Sequence, residues 1–511
     1  MNNKQIKIGA LLSYVAIAVN IISGLIYTPW MVNQIGSANY GVYTLANSII
    51  TLFLVDFGLS SAVSRYVAKY RAEGRQDKVD NFLGAIYRLY LIIDAVIFVI
   101  LLVVYFLIDT IYVKLSPAEL HNFKIVYIIS AGFAVANFPF VTFNGILNAY
   151  EKFIQLKLAD IIYRVLLVGI TVFALLFDYA SDDKMIALVA IHAAIGLLLV
   201  IYKFIVIKKS IPLKVNFKYN DGALYKDIFG FSLWVTLSFI AQRLVFSITP
   251  TILGATIVHN ASFAIAVFGI VTTIEGYTYT MTTAINGMFM PRISRMYEGE
   301  NAEENIKPLF FTVGKFQYAL NGLIIVGFAV VGNSFINLWM SPEYHSAYYG
   351  ILLIIIPGLF FNSLQIANTA MVVQKKVNIQ AYVNIATGVI NVILSFILSS
   401  KFGVIGACVS IFIAYMVRAF AINIIVWKIM KFDIPAFVKT CYLRMSIPIL
   451  FTVALGLLMN RLVPDGGWMM LLIKAAAVVA VYLCGVLLIG LESNERSKII
   501  GFIKRKIKRN N

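Results

Sequence analysis

The chain has 511 residues, is 60% hydrophobic and only 13% charged, and has a mean hydropathy of +0.86. A soluble protein carries about a quarter charged residues, so the composition excludes a soluble globular domain and places the chain among polytopic helical membrane proteins. A net charge of +18 would suit nucleic acid, but its distribution between apolar stretches excludes that reading.

A crossing helix needs roughly 20 apolar residues. Such windows predict about 14 spans, near 8–32, 40–63, 82–112, 124–148, 159–178, 185–207, 227–256, 259–290, 308–339, 347–373, 379–400, 404–428, 440–461 and 468–490. The opening "MNNKQIKIGA" runs into a span too long for a signal core, without a clear small-residue cleavage site, so it is expected to stay as an anchor. With a cytoplasmic N-terminus, the segments on the inner side hold about 29 Lys and Arg, among them "RYVAKYRAEGRQDK", "KKSIPLKVNFK" and "IKRKIKRNN". The alternate segments, such as "FDYASDDK" and "RLVPDGG", hold about 5. The excess charge is therefore topological, with both termini expected in the cytoplasm of a multi-pass plasma-membrane protein. The last basic stretch can also touch anionic headgroups.

Two parts of the chain repeat. "IYTPWMVNQIGSANYGVY" near Thr28 aligns with "SITPTILGATIVHNASFA" near Thr249, bringing Asn39 onto Asn260 at an offset of 221. "SRYVAKYRAEG" aligns with "PRISRMYEGEN" at an offset of 227, bringing Arg65 onto Arg292 and Tyr70 onto Tyr297. Six spans separate the copies, so both halves enter the bilayer in the same direction. The expected architecture is all-α: two six-helix lobes related by a pseudo-two-fold axis along the membrane normal, with a substrate path between them, plus two C-terminal helices. The boundaries read as an N-terminal lobe at 1–207, a cytoplasmic linker at 208–226, a C-terminal lobe at 227–430, two further spans at 431–491 and a basic tail at 492–511.

Polar residues at helical spacing mark the helices that could line the path. Span 1 offers Ser13, Asn20, Gly24 and Tyr27; span 7 offers Ser232, Thr236, Arg243 and Ser247. In span 8, Thr272, Glu275, Tyr279, Thr283 and Asn286 share a face. Interhelical hydrogen bonding accounts for any one hydroxyl. Charges weigh more, because a charge at mid-bilayer costs about 2.5–3.5 kcal/mol on insertion scales. Arg243 and Glu275 are the central pair: either they pair with each other, or Arg243 holds a phosphate through its guanidinium fork while Glu275 positions it or takes up a proton or cation. Asp56 is either a structural tie at the end of span 2 or a coupling acid. Arg65 and Arg292 stand at the cytoplasmic mouths, as anchors or as collectors of an anionic headgroup. Arg88, Asp94, Asp160, Arg164, Lys315, Arg418 and Lys474 are further embedded charges, with Arg88 and Lys315 at equivalent repeat positions.

No phosphate-cradling G-x-x-x-x-G-K-[ST] loop, H-E-x-x-H or G-x-S-x-G is present, the four histidines are scattered, and the three cysteines lie in apolar runs without metal-like spacing. The reading is of a non-enzyme without a cofactor or metal, whose energy coupling must use an ion gradient or product pull.

The stretch "LVDFGLSSAVSRYVAKY" (54–70), two six-span lobes, two extra spans and a basic tail resemble the polysaccharide transporter family, the flippases of O-antigen and other lipid-linked oligosaccharides. This family is similar to the multidrug and toxin extrusion transporters of the same superfamily. The resemblance implies movement of an undecaprenyl-pyrophosphate-linked glycan from the inner to the outer leaflet of a bacterial plasma membrane. It also implies membrane lipids as partners, with polysaccharide polymerase machinery and a coupling ion as further ones. Arg243 matches the family's cavity cations by type and helix. Span 1 holds no buried arginine, which departs from the lipid II branch and favours exported polysaccharide. The alternative is a cation-coupled multidrug exporter of the sister family, against which Arg243 speaks.

Overall fold

A computed structural model describes residues 3–177, 180–284, 289, 293, 295–297, 302–374, 376–493 and 495–497. Among them the regular structure is helical, with no strand. Twelve helical stretches are long and apolar enough to cross a bilayer. The chain divides into two compact units, 1–269 with 384–407, and 270–383 with 408–511.

The first unit opens with α1 (Asn3–Ile35) and α2 (Ser37–Phe53), separated by Gly36, whose φ of +83° breaks the helix. Span 2 is shorter than the hydropathy predicts. It stops at Phe53, and the chain turns before α3 (Leu59–Ala72), a separate amphipathic helix that carries Arg65. Phe57 and Gly58 both sit at positive φ, +53° and +66°, and glycine supplies the second without strain. Then follow α4 (Gln76–Ile111), α5 (Pro117–Asn137) and, after a 3₁₀ turn containing Pro139, α6 (Thr142–Ala149). Helices α7 (Phe153–Leu175) and α8 (Ser181–Ser210) complete the first six spans. The helix α7 packs on α1 and α8, α5 on α2 and α8, and α3 on α6 and α4.

The linker after α8 lies against α4. Asn216 N donates to the Asp80 carbonyl at 3.1 Å, Lys214 N to Asp80 Oδ1 at 3.1 Å, and Gln76 Nε2 to the Pro212 carbonyl at 3.0 Å. The Arg88 guanidinium donates to the Phe217 carbonyl. These bonds hold an irregular segment whose backbone would otherwise be unpaired.

The unit continues through α9 (Gly222–Phe246), α10 (Thr249–Thr256) and α11 (Ala261–Thr283), the last running on past Gly269 into the second unit. The ends of α1 and α10, Ile35 and Thr256, lie 221 residues apart, the offset of the Thr-Pro pair. The prolines differ in use: Pro29 sits inside α1, whereas Pro250 starts α10, where a missing N–H costs nothing. The helices α2 and α11 cross closely at Gly41. A Cβ there would stand 1.8 Å from the Ser262 carbonyl oxygen, so only glycine fits. Gly41→Val is expected to cost about 1–3 kcal/mol by forcing the helices apart. Thermal unfolding in detergent checks it, and an unshifted midpoint refutes the close crossing.

The second unit is built on α12 (Ala302–Trp339), followed by α13 (His345–Ile355), α14 (Gly358–Asn362) and α15 (Gln365–Val373). The tenth predicted span is thus three short helices, interrupted at Pro357 and Ser363–Leu364. The 52-residue α16 (Val377–Lys428), whose residues 384–407 belong to the first unit, reverses at Gly403 (φ 57°, ψ −138°) and so comprises two helices. A π-helical turn at Val438–Leu443 leads into α17 (Arg444–Leu462), and α18 (Gly467–Gly485) follows. With α2 counted and α16 divided at Gly403, the crossings come to about the predicted fourteen.

Two buried lysines of this unit are neutralised. Lys315 Nζ on α12 lies 3.1 Å from Glu492 Oε1 and 2.8 Å from Glu495 Oε1, and Lys474 Nζ lies 2.9 Å from Asp465 Oδ1. Arg444 donates to the Ile489 and Leu491 carbonyls, both at 2.8 Å, so the segment after α18 is held to α12 and α17. The equivalent repeat positions Arg88 and Lys315 therefore bind different partners, a linker carbonyl and two carboxylates.

Candidate functional site

The turn that ends span 2 is held by Asp56. Its Oδ2 accepts from Ser60 N at 3.2 Å, its backbone carbonyl from Leu59 N at 3.0 Å, and its Oδ1 from the hydroxyl of buried Tyr90 on α4. Its carboxylate caps the first turn of α3 by satisfying a donor that the helix leaves free. These bonds join the turn to α3 and α4.

Asp56 also lines a partly open cavity of about 460 Å³ inside the first unit. Its walls come from α2 (Tyr43, Asn47, Thr51), α5 (Ser130, Phe133, Asn137), the turn after α5 (Phe138), α7 (Tyr163) and α8 (His192, Ala193). His192 is held from two sides: Tyr27 Oη lies 3.4 Å from Nε2 and Tyr43 Oη 3.3 Å from Nδ1. Behind it, Arg164 Nε on α7 donates to Ser23 Oγ on α1 at 2.8 Å. Tyr27 is buried, while Asn20, two turns away on the same face of α1, is exposed.

Arg243 sits near the end of α9, half-buried, with no ion-pair partner among the described residues of its own unit. The backbone around it is fixed. Asn391 Nδ2 donates to the carbonyls of Leu244 and Val245 at 3.1 and 3.2 Å, and a Cβ on Gly388 would meet the Ala241 carbonyl at 2.9 Å. A short break, Ser247–Ile248, whose N–H groups both donate to the Arg243 carbonyl at 2.9 and 3.2 Å, separates this turn from α10.

In the second unit, Thr272, Glu275, Tyr279 and Thr283 lie on the more open face of α11, while Ile274, Thr278 and Thr282 are buried. Glu275 has no ion-pair partner among the described residues of this unit. Glu275 and Arg418 both act electrostatically on Tyr279 and Tyr415. The Arg418 guanidinium carbon lies 4.8 Å from the Phe361 ring centre and 5.7 Å from that of Tyr415, and its buried Nε has no hydrogen-bond acceptor among the described residues. Cation–π contact gives this guanidinium some support without neutralising it. Arg65 is exposed on α3 with its guanidinium 4.8 Å from the Tyr66 ring centre. Asn286 and Arg292 lie outside the described residues.

The family model for the polysaccharide biosynthesis protein matches residues 8–297. The chain belongs to that family. An uncharacterized membrane protein of Methanocaldococcus jannaschii is 22% identical over 405 residues, covering 75% of this chain and 76% of its own length. Among solved structures, the lipid II flippase MurJ in an inward closed conformation shares 15% identity at a TM-score of 0.74, over 94% of this chain and 97% of that one. An inward-facing multidrug resistance MATE family transporter of the MOP superfamily shares 14% identity at a TM-score of 0.67, over 83% and 95%. The chain thus has the fold that these transporters share, as its spans predict. Its sequence alone passes over His192, Tyr43 and Tyr163, which reach the cavity from three helices. A histidine in the middle of an apolar span was the available signal, since intramembrane ionisable groups are rare. No cluster of His, Cys, Asp and Glu able to hold a metal ion occurs among the described residues.

Proposed function

We propose that the protein is a flippase that carries an undecaprenyl-pyrophosphate-linked oligosaccharide from the cytoplasmic to the outer leaflet of a bacterial plasma membrane, for O-antigen, capsule or exopolysaccharide assembly, by alternating access of two lobes. Family membership and the shared fold support a membrane transporter. The observation that carries the finer reading is Arg243, a guanidinium without an ion-pair partner among the described residues of its unit, placed inside a bilayer-length helix. Such a group is costly in apolar surroundings unless it meets an anion or water, and its planar fork suits phosphate oxygens. Glu275 and Tyr279, on the open face of α11, then contact the translocated group, and the exposed Arg65 draws the headgroup to the entrance. The Lys/Arg asymmetry favours cytoplasmic termini.

The test is made in the native host with this gene deleted. A complete polyprenyl-linked repeat unit is expected to accumulate on the cytoplasmic side and to clear on wild-type complementation. No accumulation, together with raised sensitivity to cationic drugs, would instead move the protein to multidrug export.

A further inference from the structure

We propose that the cavity within the first unit is a sugar-binding pocket that takes one or two residues of the translocated glycan, an assignment that rests on the flippase reading above. Its volume of about 460 Å³ falls in the roughly 300–1,000 Å³ range of small-molecule pockets. Its chemistry is mixed in the way a pyranose requires. A sugar ring presents apolar C–H faces bordered by hydroxyls. The rings of Tyr43, Phe133, Phe138 and Tyr163 offer aromatic surface for the faces. Amides, hydroxyls and a carboxylate offer donors and acceptors for the rim.

The polar lining divides into held and available groups. Asp56 is fixed by Tyr90 and Ser60, and His192 by Tyr27 and Tyr43. In contrast, the side chains of Thr51, Ser130 and Asn137 and the Tyr163 hydroxyl make no hydrogen bond to the protein among the described residues, although they line the cavity. Groups that could hydrogen-bond, left free inside a membrane protein, require water or a polar ligand. A lipid chain would leave them unsatisfied, so the pocket excludes the polyprenyl tail. No lysine or arginine lines it among the described residues, so it is not where the pyrophosphate is held. Asp56, the one acid among its described lining residues, selects for neutral or amino sugars and against uronic acids, through like-charge repulsion.

The probe is the oligosaccharide released by mild acid from the lipid extract of the deletion strain, which lacks the pyrophosphate. Binding is measured to the purified full-length protein in nanodiscs. Wild type is expected to bind it. Ala193→Phe, which fills the cavity, and Asn137→Leu, which removes hydrogen bonding at similar volume, are expected to bind about tenfold more weakly, the equivalent of one or two lost hydrogen bonds. Should Ala193→Phe fail to fold, Asn137→Leu carries the test alone. Absence of wild-type binding, or equal binding by both cavity variants, overturns the pocket and leaves the flippase reading standing. A deletion strain without any lipid-linked glycan overturns both.

Discussion

Arg243→Ala is expected to abolish transport while leaving membrane insertion and abundance at the wild-type level. The local packing does not depend on the guanidinium. Asn391 holds the neighbouring carbonyls of Leu244 and Val245, and Gly388 packs on the turn through the backbone, so truncation leaves those contacts intact. What is lost is one or two charge-assisted hydrogen bonds to phosphate, each about 1.5–3 kcal/mol, or roughly 100-fold in affinity when two are broken at the lower value. Arg243→Lys keeps the charge but not the fork, and is expected to retain part of the activity. Clearance of accumulated lipid-linked glycan in the complemented deletion strain measures each variant, with immunoblotting for abundance. A fully active Arg243→Ala protein at normal abundance would rule out the phosphate role.

The second large effect is on stability. Lys315→Met leaves Glu492 and Glu495 facing each other without their shared cation, beside a side-chain position that is only 7% exposed. Removing one partner of a buried ion pair costs about 3–5 kcal/mol. The two carboxylates are partly in water, which lowers the expectation to about 2–3 kcal/mol. The pH dependence follows from Glu495. Burial opposes its ionisation, but hydrogen bonds from Lys315 and from Glu492 N, with the field of Lys315 and Arg444, hold its carboxyl below the ordinary glutamate range. A depressed carboxyl contributes stability that is fully present above the unfolded value of about 4.3 and is lost as pH falls through the folded one. The gap in unfolding temperature between wild type and Lys315→Met should therefore be widest near neutrality and shrink toward pH 4. A gap independent of pH would show that Lys315 acts through packing alone.

Much of the fold was legible because the bilayer makes it so. Hydrocarbon demands helices of a set length, and the spans stand out one by one in the hydropathy. Departures occur where a local feature competes. Asp56, Phe57 and Gly58 form a capped left-handed turn that cuts span 2 short, and Gly403 reverses α16. Both features were visible as residues, but nothing in a hydropathy window distinguishes a glycine that turns the chain from one that lets helices approach, as Gly41 does.

The site was less legible, for a physical reason. Arg243 stands out because a charge in an apolar run is costly wherever its partner lies. The cavity does not stand out, because Tyr43, Asn137, Tyr163 and His192 are ordinary residues on four helices, and only their convergence makes a pocket. The same holds for Lys315, which reads as a residue at a membrane boundary until the segment after α18 brings two glutamates to it from 177 and 180 residues away. Membrane class and the approximate number of spans were thus determined by the chain alone, since each depends on local composition against a fixed solvent. Which polar groups share a cavity, and which charges are neutralised, was decided only by tertiary packing, because those energies depend on distances between residues far apart in sequence.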